Sequence, residues 1–312
     1  MRRSLALTLA AFLAAASPAA AATKLTLLYT PGDSFTESYV AKDQGIFARH
    51  GLDVTLTVGQ NGSVITAALV AGSAQIGAPT PTVFLQAHEQ GVDLVILASA
   101  NRNPVQPPVS ETGIVARAGS NIHSAADLVG KKLAVQGLGG TIDVLTKKWV
   151  ATRGVDYHKV DWIEMQFPLM PDGLKTGLAD AVAVVDPFLH RILGAKAGTL
   201  IGDFGDVMPP GTMVVVYAAT RDWAQAHADA VASFRAALDE AKNFIQDPAN
   251  ATAVKASIAS YVHLPPQAAA AIQIPTNLEW EPRPYGLFFW IQAAREQGLI
   301  TRAPDAATLI AP

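Results

Sequence analysis

The sequence predicts an α/β fold in two lobes, on three observations: a run of alternating helices and strands, a second such run after residue 112, and helices that close on glycine. The first run joins SYVAKDQGIFARHGLDVTLT (Ser38 to Thr57) to VITAALVAGSAQIGAPTPTVFLQAHEQGVDLVILAS (Val64 to Ser99). Its strands are the short apolar segments LDVTLT, AQIGAP and VDLVILAS, and its helices end at Gly51, Gly72 and Gly91. Alternation of this kind builds an open sheet whose ligands sit beyond the carboxyl ends of its strands.

In chain order, a strand from Lys24 to Tyr29 ends in the turn-rich Thr30-Pro31-Gly32-Asp33-Ser34, and a helix takes Thr36 to Ala48. NRNPVQPPVS, with three prolines in ten residues, then breaks regular structure. TGIVAR is a strand, Ser124 caps a short helix, and Lys132 to Gln136 is a strand ending at Gly137-Leu138-Gly139-Gly140. A helix follows from Thr141 to Thr152, then strand DWIEMQF, short helix PDGLKTG, buried strand ADAVAVVD and a helix from Phe188 to Gly194. TMVVVYAAT reads as a strand crossing back. The rest is mainly helical: 224–246, 250–261, 266–273 and 285–297.

Composition narrows the function. Arg2 and Arg3 precede an apolar stretch from Leu5 to Ala16 and a small-residue end at Ala20 to Ala22, the pattern of a secretory leader cleaved after Ala22. That stretch is too short to span a bilayer, which takes roughly 20 apolar residues. The chain has 0 cysteines, so it has no disulfide, no thiol nucleophile and no cysteine to carry a lipid. Its formal charge is −3, and more negative without the leader's two arginines, so nucleic acid is not an expected partner. The histidines follow no metal-ligating spacing, and no metal or cofactor is expected.

Three motifs carry a resemblance. They are Ala41-x-x-x-Gly45-Ile46-Phe47 with Gly51-Leu52-x-Val54, Ala68-Leu69-x-Ala71-Gly72, and Asp127-Leu128-x-Gly130-Lys131-Lys132. In this order, over nearly all the chain after the leader, they resemble the periplasmic substrate-binding proteins of ABC importers, of the nitrate, sulfonate, taurine and thiamine-precursor type. The resemblance implies a type II periplasmic binding fold, each lobe a mixed sheet flanked by helices, with a hinge between lobes. It places one lobe at 23–111 plus 212–312 and the other, inserted, at 112–211. It implies a small-molecule solute and a membrane permease as partners, and a monomer is expected because one chain supplies both cleft walls.

The candidate site residues lie at strand ends. Thr80-Pro81-Thr82 opens a helix, with Thr80 at the cap and Pro81 in the first helical position, so free N–H groups there face an anion or the threonine is simply a cap. Gly139-Gly140-Thr141 is the matching feature in the second lobe; it lacks any nucleotide-phosphate signature, and its plainer reading is a tight strand–helix turn. Asn101 and Arg102 follow a strand, where an arginine pairs with a carboxylate or sulfonate, or forms a salt bridge between lobes. Asp186 accepts from a ligand amine or hydroxyl, or caps the helix beginning at Phe188. Ser34 and Phe35 follow the first strand, Phe35 suited to an apolar ligand body. Met170, Phe188 and Trp280 complete the set, Phe188 and Trp280 setting the size and shape of the ligand, although Trp280, Tyr285, Phe288, Phe289 and Trp290 read first as packing residues.

These residues predict a receptor for a small organic anion: a sulfonate, a taurine-like molecule or an aromatic carboxylate. A thiamine-precursor pyrimidine or other heterocycle is the alternative ligand. The rival class is a thiamine-precursor synthase, which the missing cysteines and the leader disfavour. No hydrolase signature stands out, so no enzyme activity is expected. A sensory receptor shares every one of these sequence features.

Overall fold

The computed structural model describes residues 21–103, 112–264, 269–270, 272–276 and 278–312. Most of the leader and the segment from Pro104 to Glu111 fall outside these residues, as does much of the helix expected at 266–273.

The first lobe begins with β1 (Thr23–Tyr29), α1 (Thr36–Asp43), α2 (Ile46–Arg49), β2 (Leu52–Val58), α3 (Gly62–Val70), β3 (Ile76–Gly77), α4 (Pro81–Glu89) and β4 (Leu94–Arg102). The single helix expected at 36–48 is broken, because Gly45 takes φ 67° and restarts the chain as α2. β4 runs three residues beyond the expected strand, so Asn101 and Arg102 lie inside it rather than past it.

After the first crossing come β5 (Thr112–Arg117), β6 (Lys132–Val135), α5 (Thr141–Thr152), β7 (Asp161–Glu164), α6 (Met170–Thr176), β8 (Ala181–Val185), α7 (Phe188–Gly194) and β9 (Gly198–Gly202). β9 is an edge strand that sequence periodicity misses: it has glycine at both ends and no fully buried residue. The chain then crosses back to β10 (Met213–Thr220), α8 (Arg221–Ala226), α9 (Ala228–Gln246), α10 (Ala251–Tyr261) and α11 (Tyr285–Glu296).

The two sheets share one topology. Their orders are β2-β1-β3-β10-β4 and β7-β6-β8-β5-β9. In each, the first three strands are parallel and the fourth is antiparallel to its neighbours. That fourth strand is the one entering straight after a crossing, β10 in one sheet and β5 in the other. Two buried apolar clusters each draw on both lobes: one joins Leu27 and Tyr217 to Val182 and Phe188, the other Ile96 and Phe84 to Leu133 and Trp149. The lobes are therefore in apolar contact, with the carboxyl ends of β1, β3, β6 and β8 turned to the space between them.

Candidate functional site

A cavity of about 70 Å³ lies between the lobes. One water needs on the order of 10–15 Å³ of such space, so it has room for several waters or a small solute. Its walls come from both lobes. Thr30, Pro31, Gly32, Ser34, Phe35 and Thr80 lie on one side, and Gln136, Gly137, Gly140, Thr141, Ile142, Leu145, Phe167 and Val185 on the other. Thr112, Phe204, Met208, Val214 and Val215 line it from the start of β5, the connection after β9 and the start of β10. No charged side chain is among these lining residues.

Two helix N-termini meet there. Thr80 precedes α4 with φ −70° and ψ 153°, and Pro81 fills the first turn as expected. The side chain of Thr80 makes no capping bond; its Oγ1 lies 3.3 Å from Thr82 Oγ1. Gly140 precedes α5. A Cβ built on Gly140 would stand 3.9 Å from Thr80 Oγ1, so the helix ends from opposite lobes are neighbours. Each contributes first-turn N–H groups without intrahelical acceptors and the positive end of a helix dipole.

The glycine loop ahead of α5 is braced by the protein itself. The N–H of Leu138 donates to Glu164 Oε1 at 2.8 Å, that of Gly139 to Asp143 Oδ2 at 2.8 Å, and that of Gly140 to the Gly137 carbonyl at 3.1 Å. Gln86 Nε2 reaches from α4 to the Gly139 carbonyl at 3.0 Å. These loop N–H groups are thus spent on structure. What remains for a solute is the first turn of α5 and the Thr141 hydroxyl, which is buried and has no hydrogen-bond partner. Asp143, one turn in, is raised in pKa by burial against the pull of Lys147, whose Nζ sits 2.7 Å from Oδ2.

Of the expected site residues, Ser34, Phe35, Thr80, Gly140 and Thr141 line the cavity. Ser34 Oγ accepts from Asn101 Nδ2 at 3.3 Å, so Asn101 stands behind it, its own Oδ1 buried without a partner. Pro81, Thr82 and Gly139 shape the helix starts without lining the cavity. Met170 and Phe188 are fully buried core residues, Phe188 stacked on Phe167 at 5.9 Å. Trp280 donates from Nε1 to Asp239 at 3.0 Å.

The two charged candidates lie away from this cavity. Arg102 is 4% exposed and does not line the cavity. Its guanidinium pairs with Glu279 at 3.1 Å and donates to Tyr285 Oη at 3.1 Å, to Gly211 O at 3.4 Å and to Glu281 O. It lies within β4 and is consumed by these acceptors. Asp186 accepts from His190, Nδ1 at 2.6 Å and backbone N at 3.3 Å, and lines a separate crevice with Pro187, Arg191, Leu264, Ile272 and Gln273. Burial raises its pKa, and His190 opposes the rise. Among the described residues no group of three or more His, Asp or Glu gathers as a metal site. Of the aromatic cluster, Trp290 is core, but Tyr285 and Phe288 are 48% and 59% exposed.

Sequence reasoning missed Gln136, Thr112, Phe167, Phe204 and Met208. Gln136 directly follows β6, the same strand-end signal that marked Thr80. The others sit on the crossings or a short turn, where no periodicity points to a site.

Residues 33–251 match the family model described as NMT1/THI5 like. The chain is 26% identical over 235 residues to the nitrate/nitrite binding protein NrtA of Synechococcus elongatus. The match covers 68% of this chain and 52% of that protein, so this chain spans about half its relative's length. Among solved structures, it superposes on the alkanesulfonate-binding protein SsuA of Xanthomonas axonopodis pv. citri bound to MOPS with TM-score 0.79. That pair is 18% identical, with 94% of this chain and 99% of the other covered. The periplasmic nitrate-binding protein NrtA of Synechocystis PCC 6803 gives TM-score 0.76 at 15% identity, over 91% and 84% of the two chains. These likenesses establish the two-lobe binding-protein fold.

Proposed function

The chain belongs to the NMT1/THI5-like family, and on that premise we propose that it is a periplasmic solute receptor of an ABC-type importer. It is exported by the leader at 1–22, acts as a monomer by binding rather than catalysis, and passes its solute to a membrane permease. The lobes 23–111 plus 212–312 and 112–211 close on a small organic anion: a sulfonate, a taurine-like molecule or an aromatic carboxylate. Closure is a population shift, since a solute that touches both lobes favours the closed form.

One observation carries this reading. Helix N-termini from both lobes adjoin at one cavity, where the buried Thr141 hydroxyl has no partner. The anionic head lies against the first turns of α4 and α5 and the hydroxyls of Thr80 and Thr141. Phe35, Phe167, Phe204 and Met208 take the apolar body. Charge is met by dipoles and N–H groups, with no arginine or lysine in contact.

A second reading follows from Asp186, which lines a separate crevice with His190 and Gln273. It is a neutral or cationic heterocycle such as a thiamine-precursor pyrimidine, with Asp186 as its anchor.

A thermal-shift screen of residues 23–312 separates them, using alkyl sulfonates, taurine, aromatic carboxylates, nitrate and pyrimidines. A ligand at 100 times its Kd adds about 2.7 kcal/mol of stability. Stabilisation by a sulfonate or carboxylate, weakened in Thr141→Val, is the expected result. Stabilisation by pyrimidines alone, abolished in Asp186→Asn, replaces the anion with the heterocycle.

A further inference from the structure

Helix α11 belongs to the first lobe by its place in the chain, yet it is fastened to both. At its start, the Tyr285 hydroxyl accepts from Arg102 at 3.1 Å, and Arg102 also donates to the Gly211 carbonyl at 3.4 Å. Arg102 closes β4 just before the first crossing, and Gly211 lies at the end of the second. Trp290 Nε1 donates to the Met213 carbonyl at 2.6 Å. Gly286 lets the helix come close: a Cβ there would stand 2.9 Å from Met213 Cγ and 3.4 Å from its backbone N. This end of α11 is tied to the end of β4 and to the start of β10.

The other end reaches α5 in the second lobe. Glu296 pairs with Lys148 Nζ at 2.8 Å, and Gln297 Nε2 donates to the Val144 carbonyl at 2.8 Å. Lys148 Nζ also lies 5.9 Å from the centre of the Phe289 ring. α5 is the helix whose first turn forms the cavity wall, so these contacts fall one to two turns behind Thr141.

We propose that α11 is a strap, a third and non-covalent connection between the lobes that limits how far α5 swings away from the first lobe before a solute binds. The two covalent crossings permit rotation of one lobe on the other. A helix anchored on β4 and β10, where the chain leaves and re-enters the first lobe, and reaching across to α5 resists that rotation along one side. Lys148 and Gln297 are its fastening points, and neither lines the cavity. The inference needs the two-lobe fold alone and stands whichever solute is bound.

Its test is an interlobe distance. The chain has 0 cysteines, so Val70→Cys and Leu178→Cys, exposed sites on opposite lobes, accept spin labels cleanly. Pulsed electron–electron resonance on solute-free protein then compares the labelled parent with Lys148→Ala/Gln297→Ala. The parent should show one main distance. The doubly substituted chain should gain a longer-distance population, with the open-to-closed ratio raised on the order of tenfold. Should the alanine variant fail to fold, Lys148→Glu is measured against Lys148→Glu/Glu296→Lys; the swapped pair should restore the parent distance. Coincident distributions in strapped and unstrapped proteins, or a parent already spread over open distances, would overturn the proposal.

Discussion

Thr141 carries a hydroxyl that the folded chain leaves without a partner in a buried place. An unmet buried polar group costs roughly 1–3 kcal/mol, whereas a hydrogen bond to a charged group returns about 1.5–3 kcal/mol. Thr141→Val should therefore have opposite effects in the two states. Without solute, its melting temperature stays level or rises; with solute, calorimetry should record affinity lower by about tenfold or more. Equal affinity in the two proteins would remove Thr141 from the site. Glu37 presents a different case at the same scale. It is 1% exposed, its Oε2 has no partner, and burial raises its pKa from 4.5 to about 8. The native carboxyl thus keeps a proton that the unfolded chain loses near 4.5. Its contribution is complete below that pH, is lost as pH rises towards about 8, and is level beyond. Glu37→Gln should flatten denaturant-measured stability across this window; an unchanged pH slope would contradict the assignment.

At the scale of elements, the glycine loop before α5 decides how close the backbone comes to the solute. A Cβ on Gly140 would meet the Gly137 carbonyl oxygen at 2.9 Å, whereas one on Gly137 would meet only Asn61 Cβ at an ordinary 3.6 Å. Gly140→Ala should lower stability by about 1–3 kcal/mol and weaken solute binding, while Gly137→Ala changes stability little. Similar unfolding midpoints for the two would show that the loop yields freely. The helix starts at Thr80 and Gly140 were legible because Pro81 and the glycine run are local signals needing no tertiary context. Arg102 was not. Its apparent place past a strand depended on where β4 stops, and its partners Gly211, Glu281 and Tyr285 lie more than a hundred residues away. β9 escaped for a related reason, since an edge strand flanked by glycines shows no alternation.

For the whole molecule, apolar runs and turn residues made the alternating architecture readable, and the motifs made the binding-protein fold readable. The shared topology of the two sheets was not, because it arises from how β5 and β10 return antiparallel after the crossings. Phe204 and Met208 enter the cavity for the same reason, carried there by a connection rather than by any pattern of their own. The uncharged lining has a consequence for binding as a whole. Exposed charge interactions are screened over about 10 Å at 0.1 M salt, whereas buried dipoles and hydrogen bonds are not. Solute affinity should change by less than about threefold between 0.05 and 0.5 M salt. A loss of tenfold or more would point to cationic side chains at the site.

In the proposed receptor, helix ends and hydroxyls, rather than Arg102, hold the solute. Amide chemical-shift mapping by nuclear magnetic resonance tests it most directly, with the sulfonate or carboxylate that best stabilises the protein. The largest changes should fall on Thr141, Ile142, Thr82 and Val83, in the first turns of α5 and α4. Changes centred instead on Arg102, or on Asp186 and His190 with the α5 start unmoved, would contradict it.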